Sequence, residues 1–187
     1  MPTTEDIKKK KKKWYPILAS QEFRQVEIGE TPSLSPDSLI NRTLEVNLMQ
    51  LTNDIKKQNS IIVFKIIEVK DDSALTEITK YYLSPSALKR LAFRDKIKIE
   101  DSFTAKTKDN ISFRIKPILI TKAKTNRTIL ALLRKKTQEI VKKEASAKTF
   151  SEVISSVLDY RLPLLIKTTL KKIYPLSTIQ IKALIKE

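Results

Sequence analysis

The 187-residue chain contains no cysteine and no histidine. Without cysteine there is no disulfide framework, no thiol nucleophile and no zinc knuckle. Without histidine, the usual general base near pH 7 and the commonest metal ligand are both missing. Gly29 is the single glycine, which excludes the glycine-rich loops that cradle phosphates. Carboxylates are scarce beside the cations: 21 Asp and Glu against 37 Lys and Arg, a formal net charge of +16. Apolar runs such as Ile61–Phe64 and Leu164–Ile166 are far too short to span a bilayer. The charged start is followed by no apolar stretch, so it lacks the form of a secretory signal. These absences predict a soluble intracellular protein with no small-molecule substrate, and they leave carboxylates as the only candidates for acid or metal chemistry.

What is present points elsewhere. A hydrophobic fraction of 41% belongs to a globular chain, and 187 residues suffice for one domain with a real core. The cationic excess calls for a polyanion, either nucleic acid or an anionic membrane. Most of the cations are lysine, a flexible point charge suited to phosphates rather than to bidentate reading of bases. Six lysines, Lys8 to Lys13, run into Trp14-Tyr15-Pro16. Like charges in a row repel and bury nothing, so residues 1–13 read as a disordered basic arm. Residues 14–187 then form a single α+β domain.

The order of elements follows from periodicity. Trp14–Ala19 reads as extended, because Tyr15 precedes a proline. Glu27–Pro32 reads as a strand end and turn, and Asp37–Ile40 as one helical turn. Leu44, Val46 and Leu48 alternate as a half-buried strand, and Leu51–Lys57 is turn-like. Ile61–Val69 is apolar on both faces at its start and predicts a central, bent or bulged strand. Asp71-Asp72-Ser73 connects it to a third strand, Ala74–Tyr82. Ser84-Pro85 opens a helix. Ile97, Ile99 and Phe103 mark a fourth strand, and Asp109-Asn110 a turn. Ile111, Phe113 and Ile115 alternate as the fifth. The period then becomes helical from Asn126 to Ala147. Thr149-x-x-Glu152 is a capping box opening a second helix, and Pro163 starts a third that Pro175 ends. Ile179, Ile181 and Ala183 make a closing strand. The reading is a strand-rich body, three C-terminal helices and a last strand returning to the sheet.

The candidate contacts to RNA fall in four groups. The arm offers Lys8, Lys9, Lys10, Lys11, Lys12 and Lys13. Trp14 and Tyr15 either stack on unpaired bases or pack on the body as the arm's anchor; Ile17 and Leu18 look like core, which favours the anchor. The long helix and the segment before it carry Lys122, Lys124, Arg127, Arg134, Lys135 and Lys136, with Lys142 and Lys143 further along. Lys106, Lys108, Arg114 and Lys116 form a second cationic surface. Either stripe also reads more plainly as a solvated face. The carboxylate pairs Asp71-Asp72 and Glu100-Asp101 are the only candidates for acid or metal chemistry, and neighbours on a strand point to opposite faces.

Seven runs then occur in the order expected of one family: WYPILA (14–19), EIGETP (27–32), LTND (51–54), FKIIEVK (64–70), TKD (107–109), FRIKP (113–117) and KIYPL (172–176). The chain resembles the archaeal and eukaryotic small-subunit ribosomal protein family called eS-one, or S-three-Ae, over nearly its whole length after the arm. The resemblance implies a β-barrel-like body with flanking helices on the platform of the small ribosomal subunit, in the cytoplasm. It implies contact with small-subunit rRNA near its 3′ region and the mRNA exit, neighbouring platform proteins as partners, and no catalysis, no metal and no cofactor. Contact with mRNA or initiation factors stays open. In length beyond the last strand the chain is similar to archaeal members. Family members usually carry glycine where this chain has Asn53 and Asn110, and asparagine is the best other residue for a left-handed turn. The family's Gly-His pair is replaced near Thr79-Lys80. The alternative is a free-standing β-barrel that binds single-stranded nucleic acid through Trp14 and Tyr15.

Overall fold

The computed structural model describes residues 12–70, 72–91 and 96–187. Lys8 to Lys11 and Asp71 therefore lie outside the described residues. The first strand, β1 (Lys13–Leu18), takes in the last residue of the expected arm, because Lys13 pairs with Ser33; Tyr15 and Ile17 point inward and Trp14 outward. It pairs antiparallel with β2 (Glu27–Ser33), from Lys13 opposite Ser33 to Leu18 opposite Glu27. The expected strand end and turn at 27–32 is thus strand throughout. Gly29 and Pro32 are tolerated because β2 is an edge strand, paired among the described residues with β1 alone. Gly29, at φ 156°, sits opposite Ile17, where the register shifts.

The half-buried strand appears as β3 (Thr43–Asn47), but Leu48 leaves it. The Asn47 side chain accepts the Met49 N–H at 3.0 Å and opens a short helix, α1 (Leu48–Thr52). Asn53 then ends α1 in the left-handed region at φ 53°. β4 (Ser60–Lys70) is bulged at two places, between Val63 and Phe64 and between Ile66 and Glu68. It turns into β5 (Ser73–Leu83), with Asp72 at φ 59° in the connection. Ser84 caps α2 (Pro85–Arg90), accepting the Ala87 N–H at 3.4 Å. The expected fourth strand is two, β6 (Lys98–Glu100) and β7 (Phe103–Lys106), and both pair with β8 (Ser112–Thr121). Asn110 makes the β7–β8 turn at φ 58°.

Helix α3 (Arg127–Ala147) is followed by α4 (Phe150–Leu158), α5 (Arg161–Leu170) and β9 (Leu176–Lys186). At α4 the capping box forms as expected: Glu152 N–H donates to Thr149 Oγ1 at 3.4 Å, and Thr149 N–H donates to the Glu152 carboxylate at 2.9 Å. Such a cap contributes about 1 kcal/mol. α5 begins two residues before Pro163, which still lies in the first turn, where no N–H is needed.

The sheet branches at β5. β4 and then β3 lie on one edge; on the other, β1 pairs with its start and β9 with its end. β9 lies between β5 and β8, so the closing strand is an interior one. Among the described residues the nine strands do not close on themselves. The core lies between this sheet and the C-terminal helices. Phe64, Phe113, Ile115, Leu119, Ile179 and Leu184 meet Leu133 and Val141 of α3, Phe150 and Ile154 of α4, and Ile166 and Leu170 of α5. Each large side chain removed from water contributes roughly 1.5–3 kcal/mol. A second cluster, Tyr15, Ile17, Leu39, Ile66 and Ala74, fixes β1 to the body.

Candidate nucleic-acid interface

At the foot of the arm the alternation of β1 sends its two aromatics in opposite directions. Tyr15 is 4% exposed and belongs to the second cluster; Trp14 is 64% exposed. Tyr15 is therefore corrected from a stacking candidate to a packing residue, because a ring held in the core has no face to offer a base. Lys12 and Lys13 are exposed beside Trp14.

Helix α3 shows a sharper division. Leu133, Thr137, Val141 and Ala145 recur every four residues and are buried. The Thr137 hydroxyl lies within that stripe and donates to the Leu133 carbonyl at 2.7 Å. All six basic residues of the helix, Arg127, Arg134, Lys135, Lys136, Lys142 and Lys143, are exposed. Lys136 pairs with Glu139 at 2.7 Å, and that hydrogen bond holds the Glu139 carboxyl below its usual range. Glu144 pairs with Lys148 at 2.8 Å. The other five cations of α3 have no ion pair among the described residues. The helix thus offers a row of free charges with little acid between them.

The second cationic surface is more nearly neutralised. Arg114 points outward on β8, as its alternation requires, but Glu187 holds its guanidinium at 2.9 Å. Lys116 is half-buried, whereas Lys106 and Lys108 are exposed. The β7–β8 turn is tied to the end of α3, since Lys108 N–H donates to the Lys148 carbonyl at 3.0 Å. That bond brings Lys108 to the end of α3 that carries Lys142 and Lys143. Lys122 and Lys124 are exposed in the connection from β8 to α3. Lys171 and Lys172, just past α5, are exposed as well, and no period in the sequence assigns them to a surface.

The carboxylate pair that is described serves the fold. Glu100 accepts from Lys98 and from Lys182, the latter at 2.9 Å; these hydrogen bonds, Lys98 first, hold its carboxyl below the usual range. Asp101 accepts from the Gln138 amide at 2.7 Å, fastening β6 to α3. Among the described residues no group of three or more acidic side chains is placed to hold a metal ion, and no helix is long and apolar enough to cross a membrane.

The family model described as the Ribosomal S3Ae family matches residues 4–184. The small ribosomal subunit protein eS1 of Haloarcula marismortui is 35% identical over 171 residues, covering 91% of this chain and 80% of its own length. Its namesake in Nanoarchaeum equitans is 33% identical over 166 residues, with coverages of 89% and 84%. That of Archaeoglobus fulgidus is 32% identical over 177 residues, with coverages of 91% and 82%. The matched region runs from before β1 into β9 and takes in both cationic surfaces; the chain belongs to the Ribosomal S3Ae family of small-subunit ribosomal proteins.

Proposed function

We propose that this small-subunit ribosomal protein binds small-subunit rRNA on the platform, near the rRNA 3′ region and the mRNA exit, and grips phosphates rather than bases. The observation that carries the reading is the division of α3, whose core side takes no charge while every cation faces solvent. Lysine-rich surfaces release counterions when they meet phosphates, so affinity falls steeply with salt. The arm adds further charge at Lys8 to Lys13, and neighbouring platform proteins complete the environment. The role is structural, without catalysis or cofactor.

The test is sedimentation of a native extract through a gradient, with detection of this chain. It is expected with the small subunit and is expected to stay there in moderately high salt. Recovery as free protein at the top of the gradient would overturn the reading. Replacing Lys8 to Lys13 with serine is expected to lower incorporation at equal expression. Stability is expected to change by no more than about 0.5 kcal/mol, as for surface changes generally.

A further inference from the structure

The two longest stretches without a carboxylate are residues 110–138 and 160–186. The first holds eight cations and the second six. They are far apart in sequence, yet the fold lays them side by side. β8 pairs with β9 from Phe113 opposite Lys186 to Thr121 opposite Leu176, and α3 packs on α5. The end of β8, the start of α3, the end of α5 and the start of β9 therefore share one end of the molecule.

Carboxylates from outside these stretches answer much of the charge elsewhere. Glu187 takes Arg114, Glu77 takes Lys186, Glu100 takes Lys182, Glu139 takes Lys136 and Asp159 takes Arg161. At the shared end nothing similar happens. Lys122, Lys124, Arg127, Lys171 and Lys172 are all exposed, and none has an ion pair among the described residues.

Hydrogen bonds hold these residues together against their mutual repulsion. Lys122 N–H donates to the Pro175 carbonyl at 3.1 Å. The Tyr174 hydroxyl is shared between the carbonyls of Lys124, at 3.2 Å, and Ala123, at 3.4 Å. The 171–175 turn is thereby fastened to the 122–126 connection. Gathered like charges raise the free energy of the free protein, and a polyanion relieves that repulsion on binding.

We propose that Lys122, Lys124 and Arg127 together with Lys171 and Lys172 form one phosphate-binding surface for structured RNA, with Tyr174 as its positioning residue. This rests on the rRNA-binding reading above and adds to it a contact point that joins two remote parts of the chain.

The test measures binding of the full chain to small-subunit rRNA across a range of salt concentrations. The variant K122S/K124S/K171S/K172S is expected to show a shallower dependence of log affinity on log salt. The slope changes by about 3, from roughly 0.7–0.9 per lost phosphate contact. A control variant, R24S/K56S/K70S/K89S, lowers net charge equally on other elements and is expected to keep the wild-type slope. Tyr174→Phe keeps every charge and removes the hydroxyl that fastens the two segments. It is expected to lower affinity by about fivefold, the worth of one hydrogen bond, and to flatten the slope. If the wild-type chain fails to bind the rRNA, the underlying reading falls, and this one with it. If the wild type binds but the quadruple variant keeps its slope, or the control loses as much, the surface alone is disproved. Retention of rRNA binding by that variant, with loss of binding to anionic vesicles, would hand the patch to a membrane and overturn the RNA assignment.

Discussion

Tyr15 and Trp14 are adjacent in sequence, and their replacements are expected to act on different properties. Tyr15 is 4% exposed among Ile17, Leu39, Ile66 and Ala74. A tyrosine so placed buries roughly 150–200 Å². At about 25 cal/mol per Å² that is about 4–5 kcal/mol. Partial burial in the unfolded chain reduces it to about 3–4 kcal/mol, in line with roughly 3–5 kcal/mol for truncating large core side chains. Tyr15→Ala is thus expected to cost about 3 kcal/mol. Trp14 is 64% exposed, so only about a third of its surface is covered, and Trp14→Ala is expected to cost about 1–2 kcal/mol at most. Urea unfolding followed by far-UV circular dichroism compares the two, since Trp14 is the sole tryptophan and its fluorescence disappears with it. Near-neutral Tyr15→Ala, or equal losses from both, would refute the assignment of Tyr15 as the anchor. The same variants separate phosphate binding from base stacking. The phosphate reading expects Trp14→Ala to leave rRNA affinity unchanged. A loss of roughly 1–3 kcal/mol, the worth of one stacked base, would favour a single-strand binder instead.

Two further outcomes follow from local geometry. Asn110 turns between β7 and β8 at φ 58°, so Asn110→Val is expected to cost about 1–2 kcal/mol in urea unfolding, while Asn110→Gly stays within about 1 kcal/mol of wild type; equal costs would remove the backbone explanation. The Glu100 carboxyl is held below its ordinary 4.5 by hydrogen bonds from Lys98 and then Lys182, so its contribution is present above that value and is lost as pH falls through the folded one. Glu100→Gln is therefore expected to be less stable near pH 7, with a melting temperature that falls less steeply on acidification; parallel acid limbs would contradict the pairing.

The parts legible in the sequence are those where one local rule acts alone. The capping box at Thr149 and Glu152, the bulged β4, the amphipathic α3 and the left-handed asparagines all follow from local chemistry. The misread parts are those where a neighbour decides. EIGETP looks like a turn because of its glycine and proline, yet β1 supplies a full partner and the edge position tolerates both. Leu48 continues an alternating pattern, but the cap made by Asn47 outweighs it. The run from Pro117 to Thr121 has no period because both its faces are buried, so the sequence does not show that β8 extends through it. The exposed cations of α3 can be counted from the sequence. Which cations of the sheet are already paired cannot, because Glu187 reaches Arg114 and Glu100 reaches Lys182 only through strand pairing.

The interior position of β9 has a consequence for synthesis. Among the described residues, the strand ladders of the two parts of the sheet, β1 to β5 and β6 to β8, are joined only through β9. Translation makes β9 after both, so neither part can complete its ladder while residues 176–186 are still inside the ribosome that is making them. A chain interrupted before Leu176 lacks the strand that unites them and that continues from the 171–175 turn. Completion of the sheet, and of the end of the molecule where β8 meets β9, therefore waits on the last stage of translation.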